Sequence, residues 1–168
     1  MCIRDRLEGL QVIINNGDIS IVSSDDGINS TATSGQGIVI DGGNLYILAG
    51  GDGLDSNSRT AYSGIVFKGG KTVVISTSGG NSAIDTEAGY TYTSGSVLAI
   101  MPNGGMTSEA THCSNFSSVA KKISMSLSSG KTLTVSVSNS AILSVKIPCN
   151  LSAIVIYLGS TSANISLN

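Results

Sequence analysis

The sequence predicts an all-β fold, a parallel β-helix built as a solenoid of roughly 26-residue coils with a C-terminal antiparallel β cap. Three observations predict it. A phrase at residues 17–30 (GDISIVSSDDGINS) returns without a gap at 43–56 (GNLYILAGGDGLDS), then more loosely at 70–86 and, degenerately, at 95–106. Such a period signals a repeat architecture. A second short apolar run repeats in phase with it: 12–14 (VII), 38–40 (IVI), 65–67 (IVF) and 90–92 (YTY), with Gly17, Gly43, Gly70 and Gly95 shortly after each. Finally, the chain carries 21 Gly and only 2 Pro, its runs are filled by β-branched residues, and no stretch keeps a helical period.

Each unit therefore holds two or three short strands separated by tight turns. Strands this short bury too little to stand alone, but coils stacked about 4.8 Å apart bury a continuous inner stripe. Alternation assigns the faces. Ile38, Ile40, Ile65, Phe67, Leu45, Ile47, Val73 and Ile75 are expected to point inward, and Val39, Val66, Tyr46 and Val74 outward. Tyr90 and Tyr92 are expected in the core. Residues 1–9 do not fit the repeat and read as a leader foreign to it, with the chain entered in mid-solenoid and any export signal lying upstream. The coils are assigned to 10–117. Past about 118 the texture changes: 131–137 (KTLTVSV), 141–147 (AILSVKI) and 153–157 (AIVIY) read as longer strands, the first two joined as a hairpin through 138–140. Residues 118–168 are expected to close the open end of the solenoid, where unpaired backbone groups would otherwise invite edge-to-edge association.

The composition excludes several function classes. Charged residues make up 12% of the chain with a net charge of −2, and Lys68, Lys71, Lys121 and Lys122 form no basic stripe. A nucleic-acid partner, which needs clustered cations, is therefore not expected. No apolar run reaches the length of a membrane-spanning helix. Cys2, Cys113 and Cys149 make an odd count that defines no disulfide framework, leaving incidental buried thiols or a Cys113 to Cys149 bridge. The single histidine, His112, sits beside Cys113 without zinc-ligand spacing.

The acidic positions carry the chemistry. With coils in register, Asp26 lies over Asp52, and Asn29 over Asp55 and Asp85. Carboxylates about 5 Å apart repel by roughly 1 to 3 kcal/mol at intermediate effective dielectric. A hard cation between them removes that cost, and calcium accepts six to eight oxygens in flexible geometry. Asp25 and Glu87 lie nearby. The alternative is that these Asp and Asn residues only hydrogen-bond their own turns and tolerate left-handed backbone, with Gly27 and Gly53 doing the same.

This ordered series of DDGINS and DGLDS turns, followed by 80–85 (GNSAID) and a Gly-Gly-Met triplet at 104–106, resembles a family of secreted bacterial carbohydrate-binding domain-containing proteins common in clostridia. The resemblance covers residues from about 10 to the tail. It implies a right-handed parallel β-helix similar to pectate lyases, calcium bound near the Asp-Gly turns at Asp26, Asn29, Asp52, Asp55 and Asp85, and affinity for cellulose or acidic polymers such as polygalacturonate. It also implies an extracellular or cell-surface location. Asn81 and Ser82 depart from the pattern where Asp-Gly is expected.

For a sugar, the outward column of Ser20, Tyr46, Val74 and Leu98 offers an aromatic ring to stack on a pyranose face, and Tyr62 offers another from the loop after the second Asp-Gly turn. Arg59 and Lys68 are candidate partners for hydroxyls or uronate carboxylates, and bound calcium, Lys68 or Lys71 would compensate an anionic polymer. Tyr46 packed beneath a neighbouring loop or the cap is the alternative. A lyase would need calcium to acidify the proton beside the uronate carboxyl and a base such as Arg59; an inverting hydrolase would need two separated carboxyls such as Asp52 and Asp55. No cluster of base, acid and substrate clamp accompanies either. The sequence thus favours a non-catalytic, calcium-assisted carbohydrate-binding module over a calcium-stapled structural or adhesive passenger and over a polysaccharide lyase.

Overall fold

The fold is that of a computed structural model describing residues 7–168. Cys2 and most of the expected leader lie outside the described residues. Four successive coils each contribute three strands: β1 (Leu7–Gly9), β2 (Val12–Ile14) and β3 (Asp18–Ser23); β4 (Ile28–Ser30), β5 (Ile38–Ile40) and β6 (Asn44–Ala49); β7 (Leu54–Ser56), β8 (Ile65–Phe67) and β9 (Lys71–Ser76); β10 (Ile84–Thr86), β11 (Tyr90–Tyr92) and β12 (Ser96–Pro102). Equivalent strands pair in parallel, giving three ladders, β1-β4-β7-β10, β2-β5-β8-β11 and β3-β6-β9-β12. This is the parallel β-solenoid that the repeat predicts. Leu7–Gly9, expected in the leader, add a strand to the first ladder by pairing with Ile28–Ser30.

The turns explain the glycines. Gly17, Gly43, Gly70 and Gly95, each entering a third-ladder strand, have φ of 114, 85, 75 and 101°, a region that a Cβ makes costly. Gly27 and Gly53 serve differently: neither has the left-handed φ that the turn-chemistry alternative gave them. They are needed for close approach, since a Cβ on Gly53 would lie 2.0 Å from a Val74 methyl and 2.5 Å from the Ala83 carbonyl oxygen.

The C-terminal segment extends one ladder and adds a second sheet. β13 (Ala120–Leu127), β14 (Thr132–Val137), β15 (Ser140–Lys146), β16 (Leu151–Leu158) and β17 (Asn164–Leu167) divide between two sheets. β16 pairs antiparallel with β12, and β13 with β16, so the third ladder is extended past its last coil and β12 is not left as an open edge. β14, β15 and β17 form a separate antiparallel sheet. The expected hairpin is present, with Ser138 and Asn139 at φ 50 and 63°, the backbone that a two-residue primed turn requires.

Two hydrophobic cores result. The first fills the solenoid: Ile28, Leu54 and Ile84 from the first ladder, Ile38, Ile40, Ile65, Phe67, Tyr90 and Tyr92 from the second, Leu45, Ile47 and Val74 from the third. Ala110 and Cys113, from the segment after β12, join the same core. The second lies outside the third ladder, where Val73, Ile75, Leu98, Ile100, Val155 and Tyr157 pack with Leu133, Val135, Leu143 and Val145. This corrects the facing of β9. Val73 and Ile75 point outward and Val74 inward, because Lys71 pairs with Asn44 and Thr72 with Leu45. Tyr46 accordingly shares its column with Ser20, Val73 and Leu98, not Val74. The physical reason is that β9 and β12 of this ladder are covered on both faces, so alternation vanishes from them and no longer reports the phase. Val39 and Val66 belong to neither core, yet both are buried.

Candidate functional site

The first ladder brings the acidic residues together. Its register aligns Glu8, Asn29, Asp55 and Asp85 in one outward column. Beside it, Asp26 and Asp52 each reach one coil onward: Asp26 Oδ1 accepts the Asp52 backbone N–H at 3.0 Å, and Asp52 Oδ1 accepts that of Ser82 at 2.6 Å. These two carboxylates tie successive turns together, satisfying backbone donors that the irregular turn leaves unpaired. Asn29 Nδ2 donates to Asp26 Oδ2 at 3.3 Å and to Asp55 Oδ2 at 3.0 Å. The amide thus takes the place between two carboxylates that a cation would fill. Its Oδ1 is buried without a hydrogen-bond partner.

Below Asn29 the column changes character, because Asp55 faces Asp85, an acid against an acid. Burial, then the negative charges of Asp85, Asp26, Asp52 and Glu87, push the Asp55 carboxyl up to about 7. Burial, then Asp52, Glu109, Glu87 and Asp26, raise Asp85 to about 6. Asp52 is raised chiefly by burial and held back by the Ser82 N–H. Near neutral pH the stack therefore stays partly protonated. Among the described residues, no three His, Cys, Asp or Glu side chains converge as a ready-made metal cage.

The sugar candidates are scattered. Tyr62 is half-exposed at φ 55°, its ring edge-on to His112 with centroids 5.4 Å apart. A left-handed aromatic residue is uncommon, and here its N–H donates to the Ala88 carbonyl while its own carbonyl accepts the Thr91 hydroxyl at 2.7 Å. Lys68 forms an ion pair with Asp41 at 3.1 Å, and Arg59 is exposed. Tyr90 and Tyr92 are buried as expected, their hydroxyls donating to the Ala110 and Gly95 carbonyls at 2.8 and 2.7 Å. Cys113 and Cys149 are both free, which removes the bridge left open by the sequence.

Tyr46 is placed differently. It is partly buried against the second core, at the rim of the C-terminal sheet, yet it lines an open cleft of about 360 Å³. Ser20, Tyr46 and Val73 provide the floor of that cleft, Leu143, Ser144 and Val145 of β15 one wall, and Asp18, Asn44 and Lys71 a polar row. The row is in register, Asp18 beside Asn44 and Asn44 beside Lys71. Asn44 Nδ2 donates to Asp18 Oδ1 at 2.6 Å. Sequence reasoning did not single out Asp18 or Asn44, although the 26-residue spacing that aligns Tyr46 with Ser20 also aligns these two.

A family model described as carbohydrate-binding domain-containing protein matches residues 8–163, spanning both the solenoid and the C-terminal sheets. No curated protein and no solved structure gives a significant match. By that match over nearly its whole length, the chain belongs to the family of carbohydrate-binding domain-containing proteins.

Proposed function

We propose that the protein is a non-catalytic carbohydrate-binding module for plant cell-wall polysaccharide, cellulose or pectin of the polygalacturonate type, assisted by calcium and working outside the cell or on its surface. Membership of the family supports the sugar-binding part. The observation that carries the calcium part is the uncompensated stack of Asp55 on Asp85. The donors present suit a hard cation: two carboxylates, and the orphaned Asn29 Oδ1 in the same column. A half-turn of that amide exchanges its nitrogen for its oxygen, converting a donor toward Asp55 into a ligand for an ion. Because no complete cage of acidic side chains is present among the described residues, the remaining ligands would be main-chain carbonyls, water or the carboxylate of a uronate. The last of these would make calcium a bridge between protein and an acidic polymer.

Calcium titration by calorimetry on chelator-treated protein, with Asp55→Asn and Asp85→Asn beside the wild type, tests the ion. Saturable binding lost in both variants is expected; its absence in the wild type returns these residues to turn chemistry. A second reading, a calcium-stapled structural or adhesive passenger, draws on the coil-to-coil bonds of Asp26 and Asp52. It predicts calcium-dependent melting with no retention on any polysaccharide.

A further inference from the structure

We propose that the cleft between the third ladder and β15, with its row Asp18–Asn44–Lys71 and its floor at Tyr46, is the saccharide subsite, and that it takes an uncharged pyranose chain lying along the solenoid axis. This inference rests on the carbohydrate-binding reading above and narrows it to one place and one ligand class.

The shape is set by where the second layer stops. The C-terminal sheet covers Val73 and Leu98 but leaves Ser20 exposed and Tyr46 only partly covered, so a single aromatic residue sits at the foot of a step. Such a ring offers an apolar face for the C–H side of a pyranose, and the step supplies a second apolar surface from Leu143 and Val145. A volume of about 360 Å³ lies within the usual range of small-ligand sites, and the mixture of apolar walls with a few polar groups is typical of them.

The polar row decides the ligand class. Its members stand one per coil, about 4.8 Å apart, close to the length of one pyranose unit, so successive sugars meet successive side chains. After the bond between Asn44 and Asp18, one Asp18 oxygen and the Asn44 carbonyl oxygen remain as acceptors, and Lys71 brings three donors. Lys71 has no ion-pair partner among the described residues. Hydroxyls both donate and accept, and therefore use both kinds of group. The row sums to zero charge, with Asp18 opposing the carboxylate of any uronate that Lys71 attracts. A uniformly anionic polymer gains little here, whereas a neutral glucan loses nothing.

The experiment uses a soluble β-1,4-linked glucose hexamer and a galacturonate oligomer of equal length, titrated into the full chain by calorimetry with NMR mapping of shifted amides. Three variants accompany the wild type: Tyr46→Ala, the rim pair Asn44→Ala with Lys71→Ala, and Ser20→Met, which raises a long uncharged side chain from the exposed floor of the cleft. Melting curves identify any variant that has lost its fold. The expected result is glucan binding with shifts at β3, β6, β9 and β15, weakened about tenfold or more by the rim pair and by Ser20→Met in a folded chain. Glucan binding that survives those two variants overturns the subsite while leaving the carbohydrate reading intact. Binding of the galacturonate alone overturns the ligand class, and binding of neither oligomer nor any insoluble polysaccharide overturns the carbohydrate reading itself.

Discussion

Two outward columns on the same solenoid, one residue per coil in each, reach opposite electrostatic outcomes. On the first ladder, Glu8, Asn29, Asp55 and Asp85 set one amide among three acids and end with two stacked acids. On the third, Asp18, Asn44 and Lys71 run acid, amide, base. The coil spacing is the same, so the difference lies in the side chains and in their burial, Asp55 and Asp85 being partly buried and Asp18, Asn44 and Lys71 exposed. A parallel solenoid places equivalent residues about 4.8 Å apart without exception. Repetition of one acidic residue therefore accumulates charge, and a graded series cancels it. The first column raises the proton affinity of its stacked acids; the second is a row of balanced hydrogen-bonding groups.

The largest expected effect breaks both columns together by disturbing the stacking that aligns them. Gly53→Ala forces a Cβ against Val74 and the Ala83 carbonyl, and should cost about 1–3 kcal/mol, the usual penalty of overpacking. Urea unfolding would show a lower midpoint, and calcium and sugar binding should weaken in parallel. Next comes saturation of the acidic column. Calcium at 10 to 100 times its dissociation constant should stabilise the wild type by about 1.4–2.7 kcal/mol, and Asp55→Asn or Asp85→Asn should abolish that gain in thermal melts.

The pH dependence sharpens the comparison further. Asp55 and Asp85 rise in the folded state from 3.8 to about 7 and about 6. A raised carboxyl binds protons more tightly folded than unfolded, so its stabilising contribution is fully present below about pH 4 and is lost as pH climbs through 6 and 7. In chelator, the melting temperature should thus fall between pH 5 and pH 8. Both groups retain solvent contact, so screening reduces the effect to about 1–2 kcal/mol, or a few degrees. Asp55→Asn should flatten the slope, and an unchanged slope in that variant would place the titration elsewhere. The smallest effect belongs to the balanced column: Asn44→Ala and Lys71→Ala should leave stability within about 0.5 kcal/mol, since they remove exposed groups from no buried network.

Much of the fold was legible because a repeat reports its own register. The spacing that set Asn29 over Asp55 and Asp85 is the spacing that the first ladder adopts. Legibility ended where one face of a strand met something other than water. In β9 and β12 nearly every residue is buried, so Val73 and Val74 exchange faces relative to the alternating pattern. The runs TVVIS and VLAIM were themselves the sign of burial on two sides. β13 and β17 went unrecognised because Lys, Ser and Asn interrupt their apolar residues. Of the site, the acidic column was readable from spacing, but the cleft at Tyr46 was not. It depends on where the C-terminal sheet ends, a tertiary fact with no local signature.

The most direct measurement is retention of the purified chain on insoluble cellulose and on cross-linked pectin, in chelator and again in calcium. Retention on at least one polysaccharide, strengthened by calcium and reduced by Asp55→Asn in the calcium arm, is the predicted result. A folded protein that passes unretained through both matrices in both conditions would contradict the carbohydrate-binding function proposed here.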